Sequence, residues 1–289
     1  MDNKTVTKLK DLNLVDRFLF DETMENREAY EAAVSILLEN EVELLDRAET
    51  EKEFRISPKL REIRLDVVSM DSQKRIYYTE MQKKNTGNLK KRSRYYQAHI
   101  DVSLLEPGSM NFNLLNDSCF ILIAPFDIFE RGLCRYTFEG TCRECPDLKL
   151  GDGSIKVFIN TKGRNREEFS EEFLDFMDYV TNSSAKVAGR TKSEKIKLIH
   201  RQVQKIKESE KMGVKYMQRW EELAEAKEEG GELMLIKQVC KKLGKGKSME
   251  EIAEALEEDM EKIEKICEAA EGFAPDYNCE EIYEKLYEE

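Results

Sequence analysis

The sequence lacks the signals of a membrane protein or an exported protein. No apolar run approaches the ~20 residues that a membrane-spanning helix requires. The first residues, MDNKTVTKLKDLNL, contain no apolar core and no small-residue cleavage site, so we expect no signal peptide. The seven cysteines are odd in number and scattered, which favours free thiols in a reducing compartment. We therefore expect a cytoplasmic protein with no membrane partner.

Cysteine and histidine are also too sparse for a strong zinc signature. Cys142 and Cys145 form a single CxxC pair, whereas strong structural zinc signatures carry two such pairs. Cys119 and Cys134 are the available further ligands, but unliganded thiols are the favoured interpretation. The two histidines of the chain are isolated in the sequence, and we assign no role to either.

Acidic residues outnumber basic ones, 59 to 47, which argues against a protein that coats nucleic acid over its whole surface. A local reversal occurs at residues 83–94, KKNTGNLKKRSR, which carry six basic side chains and no acidic one. These are Lys83, Lys84, Lys90, Lys91, Arg92 and Arg94. They are candidate nucleic-acid-binding residues, because basic side chains neutralise phosphate charge. A solvated helix start that balances the acidic surface is the competing explanation, and the residues alone do not decide between the two.

Hydrophobic periodicity predicts an α/β fold. Helices are predicted over 27–45, 86–105 and 170–180, the last with Ser170 as its N-cap. Strands are predicted over 51–56, 61–70, 75–82, 119–125, 133–139 and 155–160. The apolar run CFILIAP, ended by proline, is typical of a buried central strand.

The composition changes near residue 186, where glycine and proline almost vanish and charged helix formers dominate. We predict one long solvated helix, started by a capping box of Thr191 and Glu194 and ended by the glycine pair at 230–231. This helix is a candidate for self-association.

A compact helical tail is predicted after that glycine pair. Ser248 and Glu251 have capping-box spacing, and Asp259 is the predicted cap of the next helix. Two short helices with a tight connection resemble a helix-turn-helix, which binds DNA in some proteins and serves packing or dimerisation in others. The predicted division is a nuclease-like domain over 1–185, a charged helix or linker over 186–231, and a small helical tail over 232–289.

The strands at 61–70 and 75–82 form a predicted β-hairpin that carries the candidate chemistry. A three-residue loop, Ser72–Lys74, places Asp66 opposite Glu80, and opposed residues project to the same face of a sheet. A two-residue loop would instead pair Asp66 with Thr79 and separate the two carboxylates. Gln82 shares the face of Glu80, because side chains alternate along a strand.

Two adjacent carboxylates repel each other unless a cation lies between them. Mg²⁺ accepts one or two carboxylates and keeps water ligands for a phosphate substrate, with Mn²⁺ as an alternative ion. We therefore predict Asp66 and Glu80 as metal ligands and Asp66, Glu80 and Gln82 as catalytic residues. An amide has no useful proton affinity, so Gln82 would orient water or the phosphate rather than act as a base. On the residues alone, the more frequent explanation is a pair of carboxylates on a solvated sheet face.

A longer set of motifs surrounds this hairpin. It comprises FLF at 18–20, IRLDVVSMDSQKRIYYTEMQ, LKKRSRYYQAHI, CFILIAPFDIF, IKVFINTKG and the closing SMEEIAEALEEDMEKIEKI. Apart from the closing segment, the set covers roughly residues 10–180 and resembles the Rpn family of recombination-promoting nucleases, also described as putative transposases of the PD-(D/E)XK superfamily. The closing segment resembles the tails of that family. Asp66 and Glu80 match the metal-binding acids of the family, and Gln82 stands where the superfamily has lysine.

The resemblance implies a restriction-endonuclease-like mixed β-sheet flanked by helices, with a C-terminal all-helical extension. It implies a bacterial, Mg²⁺-dependent DNA endonuclease linked to mobile elements or defence, whose partner is DNA. The number of metal ions stays open, as does the choice of Glu28 or Glu31 as a further acid from the first helix. Two other functions remain: a DNA-binding recombination accessory protein with little or no cleavage, and a helical oligomerisation protein with an α/β scaffold.

Overall fold

The computed structural model describes residues 6–45, 49–54, 63–105, 108 and 110–287, with the backbone alone for 49–54 and 63–65. The chain divides into two compact units, Met1–Gly213 and Val214–Glu289. Residues 55, 56, 61 and 62, at the ends of two predicted strands, lie outside the described residues.

No helix in the described part of the chain combines the length and the apolarity that crossing a membrane demands.

The first unit opens with two helices, α1 (Arg17–Met24) and α2 (Arg27–Leu38). The Asn26 side chain caps α2 by accepting a hydrogen bond from the backbone of Ala29. Glu39 adopts a left-handed conformation with φ 51° and ends this helix. The predicted helix over 27–45 was therefore too long at its C-terminal end. Leu44 forms an isolated bridge to Asp71 in an extended conformation, so its helical spacing in the sequence was coincidental.

The described residues form one six-stranded sheet in the order β1-β2-β3-β4-β6-β5. The strands are β1 (Glu49–Phe54), β2 (Ile63–Met70), β3 (Ile76–Met81), β4 (Ser118–Ala124), β5 (Arg135–Phe138) and β6 (Ser154–Asn160). β1, β2 and β3 are antiparallel, β4 is parallel to β3 and β6, and β5 is antiparallel to β6. The helix α3 (Leu89–Leu104) makes the crossover that parallel pairing requires. The expected α/β fold with a mixed sheet flanked by helices is confirmed.

The sheet is buried on both faces in its centre, and every residue of β3 and β4 is buried. One face packs Tyr78, Phe120 and Phe158 against Leu89 and Ile100 of α3 in a continuous apolar cluster. The other face meets α2, where the Tyr30 hydroxyl and the Thr79 hydroxyl are 2.8 Å apart in a buried hydrogen bond. Because both faces are covered, a charged side chain on β2 or β3 is held in a site of low polarity.

Three helices complete the first unit: α4 (Glu171–Thr181), α5 (Ala185–Ala188) and α6 (Glu194–Glu208). Ser170 accepts a hydrogen bond from Phe173 and caps α4 as predicted. Short 3-10 turns lie at Leu9–Asp11, Phe112–Leu114, Arg166–Glu168 and Glu271–Phe273.

The prediction of one long solvated helix from residue 186 to 231 was wrong. Helix α6 packs on α1 and α2, and it buries Ile196, Ile199, Val203 and Ile206 at helical spacing. Its N-cap is Ser193, not Thr191. The separate helix α7 (Glu210–Leu243) then continues through the glycine pair at 230–231, because two glycines cost about 1 kcal/mol each and do not by themselves end a helix.

The second unit has its own apolar core. Its helices after α7 are α8 (Met249–Leu256), α9 (Met260–Ala270) and α10 (Cys279–Tyr287). Fully buried isoleucines from four helices form the centre of this core: Ile236, Ile252, Ile263, Ile266 and Ile282. The predicted capping box of Ser248 and Glu251 is confirmed, and Asp259 caps α9 as predicted. A DNA-binding role for α8 and α9 stays a prediction.

Candidate active site

The loop between β2 and β3 sets the register of the hairpin. Its three residues, Ser72–Lys74, lie between Asp71 and Arg75, whose backbone groups are joined by a 3.0 Å hydrogen bond. The Lys74 backbone donates to Asp71 at 2.9 Å, and Lys74 has φ 63°, as a three-residue hairpin loop requires at its last position. Val67 pairs with Thr79. In this register the neighbouring residues Asp66 and Glu80 are opposite each other, as predicted. The three-residue alternative is therefore confirmed.

Asp71 fixes this loop through its side chain. The carboxylate accepts hydrogen bonds from the backbone of Gln73 at 2.9 Å and of Arg75 at 2.8 Å. It also accepts one from the buried hydroxyl of Tyr77 at 2.9 Å. Burial, together with this hydrogen bond, raises the pKa of Tyr77 to about 12. Asp71 thus connects the turn to the strand that carries Glu80.

Replacing Asp71 by alanine should destabilise the protein by roughly 2–3 kcal/mol, since it removes three hydrogen bonds, one of them from the buried hydroxyl of Tyr77. Urea denaturation measures the loss as a lower transition midpoint with an unchanged slope. Gln73→Ala is the matched control, because that exposed residue contributes its backbone to the turn. Equal urea midpoints for the two variants would show that the Asp71 side chain does not stabilise this hairpin register.

Asp66 and Glu80 converge on the sheet face that α3 covers. Asp66 is fully buried and Glu80 is 4% exposed. The backbone N–H of Met81 donates to Asp66 Oδ2 at 2.8 Å, which holds that carboxylate against β3. Glu80 Oε1 is buried and accepts no hydrogen bond from the described residues. Asp66 Oδ2 is therefore fixed in position, whereas Glu80 Oε1 is able to accept a hydrogen bond or bind a cation.

The electrostatics of the pair favour a proton or a cation on Glu80. The pKa of Glu80 is raised well above its ordinary value, first by burial and then by the negative charge of Asp66. Arg92 and Arg17 act in the opposite direction and lower it. The raised pKa shows that these two positive charges do not offset the burial and the repulsion.

Arg17 and Arg92 bring positive charge to the carboxylates from two helices. Arg17 of α1 pairs with Asp66, and also with Asp21 at 3.6 Å. Arg92 of α3 lies 3.6 Å from Glu80 and donates to the side-chain oxygen of Gln82. Asp21, like Asp66, is almost completely buried. The site therefore contains three acids and two arginines, of which the sequence had assigned Asp66 and Glu80.

Among the described residues, neither Glu28 nor Glu31 is seen in contact with Asp66 or Glu80. Glu31 accepts a hydrogen bond from the backbone of Leu44 at 2.8 Å and pairs with Arg27 at 3.1 Å. Glu28 lines a cavity together with Glu31, away from the hairpin acids. Asp21 is the acid that shares an arginine with Asp66. The spacing of four residues between Arg17 and Asp21 on α1 was the signal available in the sequence.

Gln82 lies at the edge of this cluster, just beyond the last residue of β3. Its side-chain nitrogen donates to the carbonyl of Lys84 at 2.7 Å, and its oxygen accepts from Arg92. Both ends of the amide are thus engaged, so the amide holds one orientation beside Glu80.

The basic segment after β3 divides into two groups. Lys83 pairs with Asp16, Lys90 lies 4.7 Å from the centre of the Phe129 ring, and Arg92 contacts the acids. Lys84, in the loop before α3, and Lys91 and Arg94, in the first two turns of α3, are exposed and make no ion pair with any described residue. The second group forms a strip of available positive charge.

The residues present fit Mg²⁺ better than a metal that needs several protein ligands. Within the part of the chain that the structure describes, no group of three or more His, Cys, Asp or Glu side chains is arranged to hold a metal. Mg²⁺ uses one or two carboxylates and retains water, and the unpaired Glu80 oxygen beside Asp66 meets that requirement. All seven cysteines are free of disulfide bonds, and Cys142 and Cys145 belong to no such group among the described residues.

Comparison of the chain with family models, curated proteins and solved structures returns no match. The resemblance described from the sequence motifs therefore stays an expectation, and the function is inferred from the site.

Proposed function

We propose that this protein is a Mg²⁺-dependent DNA endonuclease of the PD-(D/E)XK type, related to the recombination-promoting nucleases. The observation that carries the proposal is the convergence of Asp66 and Glu80, both buried, on one face of a hairpin. The mixed sheet flanked by helices agrees with a restriction-endonuclease-like fold. The site of action would be the bacterial cytoplasm, where its DNA substrate lies.

Asp66 and Glu80 would hold the metal, with waters completing its shell. A bound divalent ion supplies polarisation of the scissile phosphate and a more acidic attacking water. Asp66 is suited to fixed coordination because Met81 already positions one of its oxygens. Because burial and the charge of Asp66 raise the pKa of Glu80, a cation at this site would compete with a proton for the carboxylate.

The neighbouring residues would position the substrate. Gln82 is held between Arg92, which also contacts Glu80, and the backbone of Lys84, and would orient the attacking water or the phosphate. Arg92 is suited to stabilise negative charge that develops on the phosphate, since its guanidinium already lies beside Glu80. The strip of Lys84, Lys91 and Arg94 would neutralise the DNA backbone next to the site.

Cleavage of supercoiled plasmid tests the proposal directly. Wild-type protein with Mg²⁺ or Mn²⁺ should produce nicked and linear DNA, and EDTA should stop the reaction. Asp66→Ala and Glu80→Ala should each lose this activity, whereas Asp147→Ala, an exposed acid on a distant loop, should retain it. Circular dichroism establishes that each variant is folded. Cleavage that survives in both folded site variants would refute the assignment.

One observation favours a second function, that of a DNA-binding recombination accessory protein with little or no cleavage. Each carboxylate already has an arginine beside it, so the cluster can be stable as a structural ion-pair network. In that case the protein binds DNA through its basic strip without cutting it. The plasmid experiment separates the two functions, because a gel-shift of uncut DNA in the presence of Mg²⁺ supports binding alone.

A further inference from the structure

Helix α7 carries an apolar face that the core of its own unit does not use. Met217, Trp220 and Leu223 recur every three residues and are 40, 37 and 63% exposed. Tyr216 and Ala224 fall on the same face, because residues three and four apart on a helix are neighbours. The apolar core of the second unit begins further along the helix, at Leu235. The face centred on Trp220 is therefore a separate feature.

Charge divides this part of α7 into two halves around Trp220. Lys215 and Arg219 precede the tryptophan, with no acidic residue between 214 and 219. Residues 221–229 follow it and contain five glutamates and one lysine. Two such helices side by side repel each other when parallel, because halves of like charge meet. When antiparallel, each basic half lies along an acidic half.

We infer that a second copy of this chain covers the face, with the two α7 helices antiparallel and Trp220 of each copy at the centre of the contact. The apolar residues supply the attraction, and the divided charge selects the orientation. An aromatic residue at the centre of an interface is a frequent determinant of affinity. The inference does not depend on nuclease activity, so the failure of either can be recognised separately.

The position of the only tryptophan in the chain makes the contact measurable. Dilution of the full-length protein should convert dimer to monomer in sedimentation, and the same dilution should red-shift tryptophan emission and increase its quenching by acrylamide. Met217→Gln with Leu223→Gln should raise the dissociation constant at least about tenfold, since both changes remove apolar surface from the face while glutamine keeps the helix. Met110→Gln with Leu114→Gln, also exposed but in the first unit, is the matched control.

Charge reversal tests the orientation. Lys215→Glu with Arg219→Glu should dissociate an antiparallel dimer, because acidic residues then lie along both halves. A further reversal of Glu221, Glu225 and Glu228 to lysine should restore it, and added salt should weaken the wild-type dimer. A monomer at all concentrations, or a dimer in which Trp220 stays equally quenched, would overturn the inference. A dimer that the first charge reversal leaves intact would overturn the antiparallel arrangement.

Discussion

Replacing Glu80 by glutamine is expected to abolish DNA cleavage and at the same time to stabilise the protein. The amide keeps the shape of the side chain but cannot carry the charge that binds a metal, so cleavage should fall by roughly a thousandfold or more, as for the loss of a major electrostatic group. Stability should rise because the native protein no longer has to hold a buried carboxylate near Asp66. A residue kept for structure alone would lose stability instead.

The stability gain should depend on pH in a defined direction. Because the pKa of Glu80 is raised in the folded state, the folded protein binds more protons than the unfolded chain above the ordinary value of 4.5. The contribution of Glu80 therefore lowers the free energy of unfolding of the wild type as pH rises from 4.5 to the folded pKa. The glutamine variant does not titrate and loses no stability in this way. The advantage of the variant should grow with pH by at most about 1.4 kcal/mol per unit, and then level off.

Urea denaturation at several pH values measures this difference, with Glu167→Gln as an exposed control that should show no pH-dependent advantage. Adding Mg²⁺ should stabilise the wild type and leave the Glu80→Gln variant nearly unchanged, since ligand binding stabilises only the state that binds. The effect of Mg²⁺ on the wild type should increase with pH, because the ion replaces a proton on Glu80. Equal stabilisation of both proteins by Mg²⁺ would contradict metal binding at this pair.

The hairpin register was accessible from the sequence because turn chemistry is local. The loop Ser72–Lys74 is short, and the strands on either side have clear ends, so the loop length fixes which residues oppose each other. That both faces of the sheet are buried around the hairpin was harder to predict from the sequence. The alternative explanation of Asp66 and Glu80 as carboxylates on a solvated sheet face is wrong, because both side chains are buried and strands β3 and β4 are covered on both sides.

The arginines of the site were not accessible in the same way. Arg17 and Arg92 reach the acids from helices that lie 49 and 12 residues away in sequence from Asp66 and Glu80 respectively. No local rule relates them, because their contacts depend on how α1 and α3 pack on the sheet. Arg92 was predicted as part of a DNA-binding run, and its contacts with Glu80 and Gln82 could not be read from its place in that run.

Loss of the exposed basic strip should weaken DNA binding without regard to DNA sequence. Lys84, Lys91 and Arg94 have exposed side chains that make no ion pair with the described residues, so each is able to contact a phosphate. The triple alanine variant should bind DNA roughly 100-fold more weakly at physiological salt, and the slope of log K against log salt should become shallower by about 0.9 for each lost contact. Fluorescence anisotropy with labelled duplex in Ca²⁺, at several salt concentrations, measures both quantities.

The change in the slope of log K against log salt distinguishes phosphate contacts at Lys84, Lys91 and Arg94 from a general effect of net charge. A control with Lys186, Arg190 and Lys192 replaced by alanine removes the same charge from exposed positions elsewhere in the first unit. If DNA lies along the start of α3, the control variant should keep nearly the full slope of log K against log salt. Its three lost charges do not contact the DNA, although its net charge changes as much as that of the strip variant. Equal weakening by the two triple variants would mean that DNA is attracted without a defined path beside Asp66 and Glu80. Since cleavage requires the phosphodiester to reach those acids, that result would count against the nuclease as well as the strip.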